Sequence, residues 1–285
     1  MSGYDWRVFG RGGAFAPISI APRLRNSLPM RLRKLGYRTI ALIPTDANFL
    51  NARSAYRHYG FDDFYAADTL HLPNDWQAIY DRMMFAAALR LVRGYRGSQP
   101  LFLFVLTLRN HGPHGGQGDV PVSSAYRHVV PALGEELADY LGRMRDSSND
   151  YQWLATQWLR SSRPRILGWF GDHQPEAAWS VTQVPQKIRR DRLAANVHDE
   201  TIEYLTYYQL AANFGAADQI IAGDALDIAY LGEHLQAFAG LPEDAGMRAA
   251  HDIAARCHGL LLTCPDHTLV ADYLSFRVHE LGEVR

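Results

Sequence analysis

The sequence predicts an α/β fold in which helices flank a mainly parallel sheet. Short apolar runs rich in Ile, Val and Phe, each bounded by turn residues, alternate along the chain with longer segments of helical periodicity. Within these runs apolar and polar residues do not alternate, which is typical of strands covered on both faces. With 285 residues, 47% of them hydrophobic, the chain fits a single domain over residues 1–285 with a large core.

The apolar runs that are too short for helices are predicted as strands. They lie at residues 38–43, 101–108, 165–170 and 219–222. Helical periodicity fills the intervals between them. Ser27 is the predicted N-cap of a first helix, with Pro29 in its first turn and Gly36 at its end. Further helices are predicted over residues 75–93, 126–144, 151–159, 201–213, 226–239, 247–258 and 268–281.

Charge and hydropathy exclude some classes of partner. Lys and Arg number 29 and Asp and Glu number 30, so no cationic excess favours a nucleic acid or an anionic membrane surface. No apolar run approaches the ~18 residues that a membrane-spanning helix needs, and the first residues lack the pattern of a secretory signal. As written, the chain is expected to be soluble, and its oligomeric state is not predicted.

The two cysteines, Cys257 and Cys264, lie seven positions apart. No second pair completes a zinc site of the usual spacing. A local disulfide remains open for an oxidising compartment, but two unpaired, half-buried thiols are the favoured interpretation.

Polar residues follow three of the predicted strands, and open α/β sheets bind ligands at such carboxyl ends. Asn110, His111 and His114 follow the second strand in a turn rich in Gly and Pro. An imidazole there can donate to a phosphate or sulfate oxygen, or transfer a proton near neutral pH. The alternative is a turn that merely exposes its histidines.

Gly171, Asp172 and His173 follow the third strand. The adjacent carboxylate and imidazole offer one oxygen and one nitrogen ligand for a divalent cation. A complete site requires at least one further protein ligand from elsewhere in the chain.

Arg53 follows the first strand after a short loop, and its planar guanidinium could hold a phosphate through two hydrogen bonds. Phe49 and Tyr56 could form walls of the same pocket. The alternative is a solvated Arg on the first turn of a helix, with the aromatic residues in the core.

Together these segments resemble the catalytic domain of the lipoteichoic acid synthase and phosphoglycerol transferase group of the alkaline phosphatase and sulfatase superfamily. The resemblance covers residues 27–175, whereas residues 176–285 match only thinly. The matching phrases, in order, are Ser27-Leu-Pro, Gly36-Tyr-Arg-Thr39, Asn51-Ala-Arg-Ser-Ala-Tyr56, Gly60-Phe-Asp-Asp-Phe-Tyr65, Thr107-Leu-Arg-Asn-His-Gly-Pro113 and Gly171-Asp-His-Gln-Pro175.

The resemblance implies an alkaline phosphatase-like sandwich and a role for each matching residue. Asp172 and His173 fall on metal ligands, for Mn, Mg, Zn or Ca. His111 falls on a histidine that contacts the headgroup or the leaving oxygen. Arg53 falls on an arginine that binds the anionic group, with Phe49 and Asn110 beside the substrate. A dianionic ester requires such a cation, arginine and proton donor around it.

The family's nucleophile, a Thr or a modified Cys or Ser, would fall upstream of this chain, as would an acidic metal ligand and the membrane helices. We therefore expect an N-terminally truncated chain that lacks the first strand and the nucleophile segment. Its membrane association would depend on that absent segment, although the family's catalytic domains work outside the cytoplasmic membrane.

The resulting hypothesis is a metal-dependent transferase or hydrolase of phosphoglycerol-type or sulfate esters in cell-envelope lipids or glycans. The partner is then an anionic ester, with no nucleic acid involved. One alternative is a catalytically inactive remnant that binds an anionic ligand or acts as a scaffold. A further alternative is an arylsulfatase.

Overall fold

The computed structural model describes residues 16–116, 134–175, 205–215, 225–261 and 263–285, together with Tyr4, Phe9, Tyr126, His128 and Val130. Its central sheet contains β1 (Arg38–Leu42), β2 (Asp63–Tyr65) and β3 (Leu101–Val105) in the order β2-β1-β3. All neighbouring strands in this sheet are parallel, and Leu42 pairs with Tyr65 on one side and with Val105 on the other. This arrangement confirms the predicted α/β class with a parallel sheet.

A second sheet pairs β4 (Ile166–Phe170) with β5 (Tyr208–Ala212) in antiparallel orientation. The first three predicted strands are thus present, and the short β2 was missed. The helix predicted over residues 201–213 is wrong, because this segment contains β5. Tyr207, just before β5, is 81% exposed, while Leu210 within the strand is buried. The strand predicted at 219–222 lies outside the described residues.

Helices form much of the remaining described chain. Ser27 caps the second of them, accepting a hydrogen bond of 3.2 Å from the Met30 amide, as predicted. The helices are α1 (Ala16–Ser19), α2 (Leu28–Lys34), α3 (Ala52–His58), α4 (Asp81–Gly94), α5 (Glu135–Leu159), α6 (Leu231–Phe238), α7 (Ala245–Arg256) and α8 (His267–Ser275). Short 3₁₀ turns lie at Ala21–Arg23, Phe49–Asn51, Trp76–Ala78 and Ile228–Tyr230, and a π turn follows α8 at Phe276–Glu280.

Helix α5 is continuous where the sequence predicted two helices separated at residues 145–150. The polar residues of this stretch have partners on neighbouring elements. Asp150 accepts hydrogen bonds from the amide and Nε of Arg82 on α4, at 2.9 and 2.8 Å. A polar segment with such partners continues a helix as well as an apolar one does, since the backbone hydrogen bonds are the same.

The main core lies between the parallel sheet and α4. Ile40 and Leu42 pack against Met84 and Ala87 there. A second core cluster surrounds Cys257 and Cys264, which form a disulfide and are both buried. The favoured interpretation of two unpaired thiols is therefore wrong, because seven positions of separation allow the chain to fold back on itself at the end of α7. No helix in the described ranges is long and apolar enough to cross a bilayer.

Candidate active site

The loops that follow β1 and β3 leave the sheet at the same edge. The two strands are parallel neighbours over their full length, with Arg38 opposite Leu101 and Leu42 opposite Val105. The segments that carry Arg53 and His111 therefore begin at adjacent carboxyl ends, where open α/β sheets place their ligands.

The contacts of α5 give the direction of β4. The Trp158 indole donates to the Ile166 carbonyl at 2.9 Å, and the Tyr151 ring lies 5.7 Å from the Trp169 ring. Strand β4 thus runs from the carboxyl end of α5 toward its amino end. The chain that leaves β3 runs the same way. Its successive residues Asn110, His111 and Gly115 contact positions 147, 143 and 139 of α5, each nearer the amino end of the helix. Residues beyond β3 and β4 are accordingly delivered in the same direction.

Arg53 lines a cavity of about 480 Å³ beyond β1. Its amide donates to the Ala47 carbonyl at 2.9 Å, and its guanidinium carbon lies 5.5 Å from the centre of the Phe64 ring. In the part of the chain that the structure describes, no carboxylate pairs with this guanidinium. The cavity is lined by Ala47, Asn48, Asn51, Arg53, Ser54, Arg57 and His58. An unneutralised cation among amide and hydroxyl groups suits an anionic ligand.

The two aromatic residues proposed for this pocket differ in their placement. Phe49 is 56% exposed, and the next two residues, Leu50 and Asn51, have left-handed backbone angles, with φ of 48° and 59°. Tyr56 instead packs among Phe61, Phe64 and Phe104. Tyr56 is thus a core residue, in line with the alternative interpretation.

His111 presents one ring nitrogen for chemistry. Its Nδ1 lies 2.7 Å from the Gly112 carbonyl, which can only accept, so Nδ1 carries a proton and Nε2 remains available. The ring meets Trp76 edge-on at 5.2 Å between ring centroids. Beside it, Oδ1 of Asn110 accepts a hydrogen bond of 3.3 Å from the Ser147 hydroxyl, which leaves the amide hydrogens of Asn110 for another partner.

His114 plays a different part from His111. It is only 6% exposed, its Nε2 lies 3.1 Å from the Asn110 carbonyl, and its ring meets Tyr140 edge-on at 5.5 Å. Burial lowers the pKa of this imidazole, and the nearby Arg143 guanidinium lowers it further. His114 therefore supports the loop as a neutral hydrogen-bonding group.

Asp172 and His173 lie together beyond β4. Their side chains are 71% and 66% exposed, and Oδ2 of Asp172 lies 3.5 Å from Nε2 of His173. The His173 amide donates to Oδ1 of Asp172 at 2.9 Å, and Nδ1 of the His173 ring donates to the Gln174 carbonyl at 3.0 Å. Nε2 and a carboxylate oxygen thus face the same space, a donor set that fits a borderline divalent cation.

The predicted site residues form separate small groups. Within the described ranges, no hydrogen bond or ion pair joins Arg53, His111 and Asp172 to one another. The same ranges contain no cluster of three or more His, Cys, Asp or Glu side chains that could hold a metal ion. The Asp172–His173 couple therefore supplies two donors, which is fewer than a complete site needs.

The residues of α5 that contact the loop after β3 were not predicted from the sequence. Asp139 and Arg143 form an ion pair of 2.7 Å and are almost fully buried. Their signal in the sequence is a carboxylate and a guanidinium four positions apart on a helix, which is the spacing of a surface pair as well. Burial alone distinguishes the two cases.

Two solved structures have the same fold. The lipoteichoic acid synthase LtaP from Listeria monocytogenes has a TM-score of 0.56 and 17% identity, covering 80% of this chain and 55% of that one. The Streptococcus pyogenes phosphoglycerol transferase GacH, solved in complex with sn-glycerol-1-phosphate, has a TM-score of 0.57 and 18% identity, covering 84% of this chain and 59% of that one.

Two curated proteins are related to this chain by sequence. An uncharacterized protein of Haemophilus influenzae is 27% identical over 299 residues, covering 100% of this chain and 51% of that protein. A Rhizobium meliloti protein named for cyclic beta-1,2-glucan modification is 27% identical over 206 residues, covering 64% of this chain and 30% of that protein. The matched region thus spans about half the length of the Haemophilus influenzae protein and 30% of the Rhizobium meliloti protein. The sequence model of the Sulfatase family matches residues 10–205, and this chain belongs to that family.

Proposed function

We propose that this chain binds the anionic group of a phosphoglycerol-type or sulfate ester as part of a metal-dependent transferase or hydrolase. The substrate would be a lipid or a glycan of the cell envelope. The observation that carries the proposal is the placement of Arg53, without a carboxylate partner among the described residues, in a cavity at the same sheet edge from which the His111 loop departs. The fold is shared with a phosphoglycerol transferase solved with sn-glycerol-1-phosphate.

Each residue contributes a different interaction. The Arg53 guanidinium would bind two oxygens of the phosphate or sulfate through parallel hydrogen bonds. Nε2 of His111 would donate to an ester oxygen when protonated, or accept from a hydroxyl group when neutral. The free amide hydrogens of Asn110 would donate to the same ligand, and the exposed Phe49 ring would cover its carbon atoms.

Asp172 and His173 would hold a divalent cation, Mn, Mg, Zn or Ca, together with at least one further ligand. A cation bound there would neutralise charge on the ester and polarise its phosphoryl or sulfuryl oxygen. The disulfide between Cys257 and Cys264 favours an oxidising compartment, which agrees with work outside the cytoplasmic membrane.

Calorimetric titration of the purified chain with sn-glycerol-1-phosphate, with glycerol and with a phenyl sulfate tests the binding role. We expect the phosphate or the sulfate to bind and glycerol not to bind. Arg53→Ala should weaken that binding by about tenfold or more, since a hydrogen bond to a charged group contributes ~1.5–3 kcal/mol. Arg90→Ala, which removes an exposed arginine of α4, is the matched control. Equal affinities of wild type, Arg53→Ala and Arg90→Ala would refute the assignment.

The metal role has its own test. Mn²⁺ should raise the melting temperature of the wild type, and Asp172→Ala should remove this increase while leaving metal-free ligand binding unchanged. An unaltered increase in Asp172→Ala would show that the cation binds elsewhere.

A second candidate is a non-catalytic module that binds an anionic ligand. It is favoured by one observation, namely that the described residues offer two metal donors and no third. Release of nitrophenol from a phosphodiester or a sulfate ester in the presence of Mn²⁺ distinguishes the two. Ligand binding without any such release would favour the module, and the preferred ester would separate a phosphotransferase from an arylsulfatase.

A further inference from the structure

One face of α5 holds the loop that carries Asn110 and His111. Its residues Asp139, Arg143 and Ser147 follow one another at intervals of four positions and so share a single face of the helix. Each of them makes a hydrogen bond to the segment between Asn110 and Gly115. The three contacts together extend over the whole turn.

Asp139 and Arg143 form hydrogen bonds with the main chain at the two ends of the turn that contains His111. Nη1 of Arg143 donates to the His111 carbonyl at 3.2 Å, and the Gly115 amide donates to Oδ2 of Asp139 at 3.1 Å. The same Oδ2 lies 2.7 Å from Nη2 of Arg143, so the carboxylate binds the guanidinium and the loop at once. A single ion pair thereby ties His111 and Gly115 to one point of the helix.

This pair lies in the interior rather than on the surface. The side chain of Asp139 is fully buried and that of Arg143 is 3% exposed. Removing two charges from water costs several kcal/mol per ion, which their mutual attraction often fails to recover. A buried pair is thus a poor means of adding stability, and it is better explained by the geometry that it imposes on its neighbours.

A second anchor acts on the chain just before the turn. Burial raises the pKa of the Asp81 carboxyl at the start of α4, and its neighbours Ser147, Thr107 and the Arg109 backbone oppose that rise. The Arg109 guanidinium lies 4.1 Å from the centre of the Tyr80 ring and is buried. The strand exit is therefore fixed from α4 while the turn is fixed from α5.

The backbone of the turn largely defines where the His111 ring lies. The ring itself contacts Trp76 through an edge and the Gly112 carbonyl through Nδ1. Neither contact ties it to a buried charge. A shift of the His111 carbonyl would consequently move Nε2 relative to any ligand, and a misplacement of about 1 Å is enough to lower binding or reaction severely.

We propose that Arg143, held by Asp139, is a positioning residue that sets the place of His111 at the anion-binding edge of the sheet. The proposal rests on the proposed function, in which His111 contacts the ester. Arg143 itself would not touch the ligand.

The test uses Arg143→Lys, which keeps the charge beside Asp139 but replaces the planar fork by one ammonium that cannot reach both partners in the same geometry. Asp139→Asn is the second variant, and Asp150→Asn is the matched control. The control removes an ion pair of the same helix to Arg82, at a position that makes no hydrogen bond to the His111 turn. The readouts are the NMR signals of the His111 ring, assigned by their loss in His111→Gln, and the affinity for sn-glycerol-1-phosphate.

The ring current of Trp76 changes the chemical shifts of the His111 ring, because the two rings meet edge-on. We expect Arg143→Lys and Asp139→Asn to reduce this change in chemical shift and to weaken ligand binding by about tenfold, while Asp150→Asn changes neither. Unchanged His111 signals in both α5 variants would overturn the proposal even if the wild type binds the ligand. Failure of either variant to fold at 25 °C under conditions where Asp150→Asn folds would also overturn it, since the pair would then be structural.

The two hypotheses fail in distinguishable ways. If the wild type does not bind sn-glycerol-1-phosphate, the proposed function fails, while the ring signals still report whether Arg143 positions His111.

Discussion

Nε of Arg277 donates a hydrogen bond of 2.6 Å to Oε2 of Glu283, and both side chains are at most 2% exposed. The Tyr4 hydroxyl donates to the same oxygen at 2.8 Å, and Nδ2 of Asn26 donates to the other carboxylate oxygen at 2.8 Å. The carboxylate of Glu283 thus joins segments that lie far apart in the sequence.

We expect Glu283→Gln to lower the free energy of unfolding by about 3 kcal/mol, because it leaves the buried Arg277 charge without its nearest partner. Urea unfolding followed by circular dichroism measures the change. Arg256→Gln is the control, since Arg256 and Asp266 form an exposed pair at 3.9 Å and such pairs contribute ~0–1 kcal/mol. Equal effects of the two substitutions would contradict the assignment of a buried network.

The disulfide should stabilise the cluster around α7. Its loop is short, so the loss of both sulfurs in Cys257→Ala with Cys264→Ala should cost about 2–3 kcal/mol. Thermal unfolding with and without a reductant measures this, and the double variant should be insensitive to the reductant. Two thiols that react with iodoacetamide in the native, non-reduced protein would contradict the bond.

His114 should make stability depend on pH. Burial lowers the pKa of His114 in the folded state below its ordinary value of 6.5, so the unfolded chain binds a proton more readily. Its contribution to stability is therefore present above pH 6.5 and is lost as the pH falls below that value. In urea unfolding between pH 7.5 and pH 5, His114→Gln should show a shallower loss than the wild type.

His267→Gln is the control for this measurement, because His267 is exposed. Burial also lowers the pKa of His234, which accounts for the slope that should remain in His114→Gln. An unaltered slope in His114→Gln would contradict the role assigned to this imidazole.

Gly115 should tolerate no side chain, for two separable reasons. Its φ is +70°, and an added Cβ would lie 2.9 Å from Cγ and 3.0 Å from the amide nitrogen of Glu136. Gly240, which follows α6, has φ of +65° but open space around the same position. Both alanine variants share the left-handed backbone cost of ~1–2 kcal/mol, whereas only Gly115→Ala adds a collision with α5. Urea unfolding should show the larger loss for Gly115→Ala, and equal losses would contradict the close approach.

The orientation of β5 predicts opposite responses at two nearby positions. Leu210 is 3% exposed and Tyr207 is 81% exposed. Leu210→Ala should cost about 2–4 kcal/mol, as for other buried leucines, whereas Tyr207→Ser should change the free energy of unfolding by less than ~0.5 kcal/mol. Similar losses of unfolding free energy at the two positions in urea unfolding would contradict the strand and favour the helix predicted for this segment.

The local signals in the sequence identified the elements whose partners are local or whose pattern is unambiguous. The apolar run that begins at Arg38 forms β1, and Ser27 caps α2, because each depends on a few consecutive residues. The same apolar runs predicted the strands that precede Arg53, His111 and Asp172 in the sequence. The family resemblance then supplied the chemistry that is proposed for these positions.

Long-range contacts explain the failures. Tyr204, Tyr207 and Tyr208 have a spacing that fits a helix. The pairing of Tyr208 with Phe170 and of Leu210 with Gly168 selects the strand instead. The polar stretch of α5 was interpreted as a break because its partner Arg82 lies far away in the sequence. Whether Asp139 and Arg143 are buried or exposed depends on which elements pack against α5. Their spacing in the sequence does not specify this.

Helix α5 binds the His111 turn through a peptide carbonyl and a peptide amide. Every residue type supplies the carbonyl, and every type except proline supplies the amide. The side chains at His111 and Gly112 are thus chemically independent of the support beneath them. Randomising these two positions while α5 and Gly115 are kept offers a route to new ligand preferences in the laboratory, and natural sequences could diverge at this turn by the same means.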